Sequence, residues 1–249
     1  MTAPRWTLEH HRGSAVEFHA RELPEPMTRS VWSFEVTRPA IVLGSAQRDP
    51  QLHLCRSGDE AVEVARRRSG GGAVWLEPGG QTWVDVIVAA DDTLWEQDVS
   101  RSMEWLGRVW VGALTQLGVE GAEVHSGPMV TNDWSSSVCF AGLAAGEVTV
   151  GGRKLVGISQ RRTRAGARFQ CALLHRWDPT RLVEVLGVGD RSGEPHAGSG
   201  VEVDAARSRV LQAVRPLAVG IDELMERRGA PWLSSADVVR SLMAELELL

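Results

Sequence analysis

Three arginines run directly into three glycines in Arg66-Arg67-Arg68-Ser69-Gly70-Gly71-Gly72-Ala73-Val74. Glycine has no Cβ, so such a stretch can adopt φ > 0 and press its backbone against a neighbour or a ligand. Successive N–H groups beside arginines suit a phosphate or a carboxylate. The residues after the glycines narrow the choice. Ala73–Leu76 reads as a strand, Glu77-Pro78-Gly79-Gly80 as a turn, and Thr82–Ala89, with Val84, Val86 and Val88 alternating, as the second strand of a hairpin. A dinucleotide fingerprint needs a helix after its glycines, and a phosphate loop needs Gly-Lys-Ser or Gly-Lys-Thr at its end. Neither is present. The stretch is expected to form one wall of a binding site; the plainer alternative is an exposed basic turn.

The rest of the chain has the same strand–turn–strand character. Residues 1–30 read as a polar lead-in with one short helix near Ser14–Leu23. Val31–Val36, Ala40–Gly44 and Val62–Ala65 read as strands, with Leu52–Arg56 ambiguous and a turn at Ser57-Gly58-Asp59. Asp92 or Thr93 is expected to cap a helix to Leu117, because Met103, Leu106, Trp110, Ala113 and Leu114 recur at helical spacing. A short strand is expected within 119–125. After a polar loop at Ser126–Ser137, Gly146–Val150 and Arg153–Arg161 form a hairpin about Gly151-Gly152, and Phe169–Leu174 is a further strand. Asp178-Pro179 opens a short helix that Gly187 stops. Gly189–Gly200 reads as a mobile loop. Helices over Asp204–Arg228, interrupted at Pro216, and Ala236–Leu249 complete the chain. The pattern predicts an α+β fold, with a mixed, largely antiparallel sheet flanked by helices rather than a βαβ series. Residues 1–188 are expected to form the functional domain, with 189–249 a loop and helices packed on it.

Composition removes several functions. A net charge of -5 argues against general nucleic-acid binding. Three cysteines, Cys55, Cys139 and Cys171, make neither a disulfide framework nor a zinc pattern and fit a reducing, cytoplasmic setting. No apolar run approaches the roughly 20 residues that span a bilayer. No metal is expected, since the seven histidines show no ligand spacing. Two residues carry candidate chemistry. Cys139, between Val138 and Phe140, is either a small buried hydrophobe or a nucleophile assisted by nearby cations. Lys154, opening a strand, is either solvated or aimed at a developing oxyanion. Cys55 and Cys171 read as packing residues. A histidine partner for Cys139 is sought in His125 or His175, its nearest in sequence. Arg161, Arg162, Arg164 and Arg168 suggest a basic patch that docks an acidic carrier.

Arg67-Arg68-Ser69-Gly70-Gly71-Gly72-Ala73-Val74 resembles the RRxSGGGAV motif of the lipoate–protein ligase and octanoyltransferase family. Gly152-Arg153-Lys154-Leu155-Val156-Gly157-Ile158-Ser159-Gln160-Arg161 resembles its second motif, and Pro39–Gly44 its early PxxxxG strand. The resemblance covers about residues 30–185. It implies the fold of biotin protein ligases and class II synthetase cores, and attachment of an octanoyl or lipoyl group to a lysine of a lipoyl domain, in a 2-oxoacid dehydrogenase E2 or a glycine cleavage H protein. It implies Lys154 as a central functional residue and Arg67, Arg68, Ser69, Gly70, Gly71, Gly72, Ala73, Gly157, Ile158 and Ser159 as the substrate-binding set. Val138-Cys139-Phe140, fifteen positions before Lys154, resembles the nucleophile region of the cysteine-dependent transferases. On that branch no cofactor is required, and the donor is an acyl carrier protein or an acylated lipoyl domain. The alternatives are a ligase using ATP and Mg, and a non-catalytic binder of lipoyl domains. Many members carry His-Gly where this chain has Gln170-Cys171.

Overall fold

The computed structural model describes residues 5–47, 62–99, 101–187 and 200–249. Cys55, His53, His196, the segment Leu52–Arg56, the turn at Ser57–Asp59 and most of the Gly189–Gly200 loop lie outside them.

The strand Gln81–Ala89 is buried along nearly its whole length, and its alternation assigns two faces. Val84, Val86 and Val88 enter one core; Trp83 and Ile87 enter another. Around it runs a seven-stranded sheet. In chain order the strands are β1 (Thr7–Gly13), β2 (Ser30–Val36), β3 (Ala40–Leu43), β4 (Glu63–Arg66), β5 (Val74–Leu76), β6 (Gln81–Ala89), β7 (Ala122–Val124), β8 (Val148–Val150), β9 (Arg153–Arg162) and β10 (Gly166–Leu174). The large sheet has the order β1-β2-β6-β10-β9-β8-β7 and a small sheet the order β4-β3-β5. Among the described strands only β1–β2 and β3–β4 are parallel pairs. The expected mixed, largely antiparallel sheet is therefore present, divided in two.

Three local expectations change. The turn at Glu77–Gly80 does not close a hairpin: β5 pairs with β3, and β6 with β2 and β10. The chain passes from one sheet to the other there, which alternation within each strand cannot reveal. The lead-in contains β1, an edge strand whose residues are mostly exposed and so lack an apolar face to mark it. The long helix begins at Glu104, not at Asp92. Asp92 instead receives two hydrogen bonds from the buried Arg29 guanidinium, at 2.9 and 3.0 Å.

Helix α1 (Ala15–Ala20) is capped by the Ser14 hydroxyl and packs Phe18 under β2 and β6. α2 (Glu104–Gln116) covers the valine face of β6 with Leu106, Trp110, Ala113 and Leu114. α3 (Thr180–Leu186) ends at Gly187, whose φ of 58° is the left-handed cap. α4 (Gly200–Val214), α5 (Ile221–Arg227) and α6 (Ser235–Leu246) complete the helices. Ile221, Met225, Val238, Leu242 and Leu246 join the same core as α2. The segment between α4 and α5 also reaches the opening of β9: Val219 N–H donates to Lys154 O at 2.9 Å, and Arg153 clasps Glu223 at 2.7 and 3.1 Å. No helix among the described residues is long and apolar enough to cross a membrane.

Candidate functional site

The Arg/Gly stretch leaves β4 and turns back into β5. Its three arginines point three ways. Arg66 donates to the carbonyls of Gly44 and Gln47. Arg68 leaves the loop for Glu22, at 2.7 Å, and Arg161 approaches the same carboxylate at 3.7 Å. Arg68, then Arg161, hold the exposed Glu22 carboxyl below its usual range. Arg67 folds inward and is 5% exposed. Its fork donates to Gly70 O at 2.8 and 3.2 Å and to Gly72 O at 2.7 Å, and Nη2 lies 3.7 Å from Cys139 Sγ. Within the described residues no carboxylate pairs with it, so its charge is balanced only by carbonyl dipoles and meets the sulfur directly.

Gly44, Gly71 and Gly72 are required by crowding, whereas a Cβ on Gly70 would meet nothing. A Cβ on Gly44 would sit 2.0 Å from Gly71 O, and one on Gly72 would sit 2.6 Å from Val138 N. Gly71 has φ 95°, and a Cβ there would meet the Arg67 guanidinium at 2.9 Å. Ala73 then bonds Ser137 O and Cys139 N–H, locking the loop against the turn Cys139–Ala141.

Lys154 completes that turn from the other side. Its ammonium is buried, 2.7 Å from Glu147 Oε2, and donates to Cys139 O at 3.2 Å and Gly142 O at 3.0 Å. Three N–H groups meet three acceptors. Lys154 thus touches the cysteine through its carbonyl. Glu147, which the sequence did not single out, is held in turn by Ala144 N–H and Ile158 N–H. Gly157 leaves room for the lysine stem and the Phe140 ring; a Cβ would lie 3.3 Å from each. Ser69 and Ser159, ninety positions apart, share a 3.0 Å hydrogen bond that joins the two motifs.

These parts enclose a cavity of about 510 Å³, including its mouth, between the two sheets. Val42, Val74 and Leu76 line it from the small sheet, and Trp83, Ile158 and Ala172 from the large one. Cys139, Arg67, Gly157 and Ser159 also border it, so five residues of the sequence-derived set meet there. Arg68 does not, and stays at the rim with Glu22.

The nearby histidine is neither His125 nor His175. His125 bonds Pro128 O, and His175 is held by Thr82, Ser235 and Asp222 away from the cavity. His19 lines the cavity instead. Its ring stacks on Trp83 at 4.7 Å, and Gln170 Nε2 donates to its Nδ1 at 3.2 Å. Burial, helped by Arg168 and Arg67, pushes its pKa down to about 3, so the imidazole is neutral at physiological pH. The signal was a lone histidine on a six-residue helix, which no spacing rule flags. Cys171 also borders the cavity but is fully buried, and burial pushes its thiol up. It packs, as expected. Within the described residues no group of acidic, histidine or cysteine side chains is arranged to hold a metal.

The four arginines expected to form a basic patch do not all face solvent. Arg168 is 2% exposed and pairs with Asp85. Arg162 stacks on Trp95 at 4.0 Å, leaving Arg164 as the exposed cation of the four.

Residues 16–227 match the family model of the lipoyl protein ligase A/B catalytic domain. The chain belongs to that family. It is 24% identical over 236 residues to the octanoyltransferase LipM of Moorella thermoacetica, covering 94% of this chain and 76% of that one. A second LipM, from Clostridioides difficile, is 28% identical over 111 residues, which span 45% of this chain and 40% of the relative. In three dimensions the chain resembles a bipartite lipoate protein ligase of Thermoplasma acidophilum, solved in work on that enzyme and its E2 lipoyl domain, with a TM-score of 0.65 at 16% identity, over 100% of this chain and 84% of that one. A lipoate-protein ligase A bound with ATP gives a TM-score of 0.54 at 18% identity, over 98% of this chain and 94% of that one. At such identities these likenesses establish the shared fold.

Proposed function

We propose that this protein moves an octanoyl or lipoyl group, through a thioester on Cys139, onto the lysine of a lipoyl domain. The observation that carries the reading is Cys139 Sγ on the wall of an apolar cavity, 3.7 Å from an Arg67 guanidinium that no described carboxylate pairs with. The relatives named octanoyltransferase support the same reading.

In the first step the Cys139 thiolate attacks the carbonyl carbon of an acyl thioester, carried by an acyl carrier protein or an acylated lipoyl domain. A new S–C bond forms, and the donor sulfur leaves and takes up the proton that Cys139 gave up. In the second step the neutral lysine nitrogen attacks that carbon. The C–N bond forms, Sγ departs with the electron pair beside Arg67, and the amine proton goes to solvent or to the sulfur. The Arg67 guanidinium, 3.7 Å from Sγ, is the cation beside the reacting carbon that stabilises its oxyanion. Lys154 and Glu147 hold the turn that aims the cysteine, and the apolar walls hold the chain. No nucleotide takes part.

Intact mass spectrometry after mixing with an octanoyl thioester tests this. Wild type and Cys171→Ala gain one octanoyl group and pass it to a lipoyl domain without ATP; Cys139→Ala does neither. An unchanged adduct in Cys139→Ala overturns the reading. Modification that survives in that variant and requires ATP and Mg with free lipoate replaces it with adenylate-dependent ligation.

A further inference from the structure

Trp83, Ala172 and Gly157 form a row along one side of the Cys139 cavity, lying opposite one another on β6, β10 and β9. Neighbouring strands sit roughly 4.8 Å apart, so the row is about 10 Å long. The cysteine stands at the β9 end. Phe140, next to it in the chain, packs its ring 3.3 Å from where a Cβ on Gly157 would be, and Ser69 of the Arg/Gly loop bonds Ser159 on the same strand. His19 stands at the other end, its ring 4.7 Å from that of Trp83. Gln170 fixes the imidazole. The Gln170 amide also hydrogen-bonds the Asp85 carboxylate, its cross-strand partner, which can only accept. Its nitrogen is therefore the atom that faces both Asp85 and His19. His19 Nδ1 accepts from it, and the neutral ring carries its own proton on Nε2. Among the described residues no hydrogen-bond partner meets that N–H, and the side chains around it in the cavity are mostly apolar.

We infer that the His19 Nε2–H group is a specificity determinant, which favours acyl chains bearing a hydrogen-bond acceptor near their far end over plain alkyl chains. The inference rests on the acyl-transfer reading for the identity of the ligand. Carbon–carbon bonds of about 1.5 Å advance an extended chain by roughly 1.25 Å each, so a chain that starts at Cys139 brings about its sixth to eighth carbons beside His19. A plain alkyl tail there strips water from the N–H and leaves it unpaired. A tail with an oxygen or a dithiolane sulfur at that depth restores the hydrogen bond, the oxygen more strongly because sulfur is the weaker acceptor. A site built around a fixed donor discriminates by what it leaves unpaired, and an apolar wall alone has no such means. The Trp83 ring beneath His19 holds the donor in place whatever the tail carries.

The test is calorimetric binding of octanoate, 8-hydroxyoctanoate and lipoate to wild type and His19→Phe, which keeps a ring on Trp83 and removes the donor. In parallel, Cys139 adducts are weighed with the matching thioesters. The affinity ratio of 8-hydroxyoctanoate to octanoate should fall about tenfold in His19→Phe, and that of lipoate to octanoate about threefold, while octanoate binds the variant at least as well as wild type. If His19→Phe fails to fold, the imidazole nitrogens of wild type carry the test by NMR. Nε2 should bear the proton, and its resonance should move on adding 8-hydroxyoctanoate more than on adding octanoate; a ring protonated on Nδ1 overturns the inference. Equal ratios in wild type and the folded variant overturn it as well, even if the adducts form. Changed ratios with no adduct in wild type keep the His19 assignment and overturn the thioester route. Failure of wild type to bind any of the three acids overturns both.

Discussion

Arg66–Arg68 and Arg161–Arg168 look alike as sequence, each a cluster of guanidinium groups beside strands. The fold splits both clusters the same way. One arginine of each is buried, Arg67 and Arg168, and others end at the surface or on rim partners. The two buried ones differ in what balances them. Arg168 pairs with Asp85, which also accepts from Trp83 Nε1 at 2.8 Å, and it donates to Phe18 O at 2.8 Å and Arg21 O at 3.0 Å. Burial pushes the Asp85 carboxyl up, against the opposing pull of Arg168. The Arg168 charge is consumed in pinning the end of α1, the helix that carries His19. Arg67 meets carbonyls and a sulfur, so its charge remains available to an anion at Cys139. On the proposed reading, the cation paired with a carboxylate is scaffold and the one without serves the chemistry at Cys139.

The sharpest way to break this contrast is Arg168→Ala. It leaves Asp85 buried without its partner and should cost about 3–5 kcal/mol, read as a lower urea midpoint, with His19 losing its fixed place. Restoring stability with a further Asp85→Asn change would confirm that the pair, and not the guanidinium alone, holds the scaffold. Arg67→Lys comes next. A lysine cannot supply the fork that spans Gly70 and Gly72, so stability should drop by about 1–3 kcal/mol while acylation of Cys139 slows at least about tenfold. If acylation per folded molecule is unchanged, Arg67 is scaffold too and the contrast fails.

His19 gives a pH signature of smaller size. Its folded value of about 3 lies below the free value of 6.5, so the unfolded chain binds the proton more tightly. The stability it contributes is present above about pH 6.5 and is lost as pH falls from there toward 3. His175 is shifted down as well, mainly by burial, and adds in the same direction. His19→Gln should therefore flatten part of the acid limb of a stability–pH curve, and an unaltered slope would contradict the neutral, buried imidazole. The smallest effect belongs to Arg68→Ala, whose exposed contact with Glu22 is screened by solvent and should leave the unfolding midpoint nearly unchanged. Its loss should leave adduct formation on Cys139 intact.

Much of the fold was legible because alternation marks half-buried strands: β2, β3, β6 and the β8–β9 hairpin lie where Val, Ile and Trp alternate or where Gly151-Gly152 turns the chain. β1 was not, since an edge strand with charged residues on both faces has no periodic signal. Within the site, Cys139, Lys154 and the glycines stood out through residue type and spacing. Glu147 and His19 did not, because a lone acid and a lone histidine acquire meaning only from what packs on them.

The sequence by itself determined which residues could react and where the backbone had to be bare. Glycines at 44 and 72 admit close neighbours that any side chain would exclude. Only the tertiary structure decided the direction of each cation. Arg67 turns to Cys139, Lys154 to Glu147, Arg168 to Asp85 and Arg68 to the rim. The physical reason is that a buried charge settles wherever dipoles or counter-charges replace its water. Those partners come from strands and turns far away in the chain.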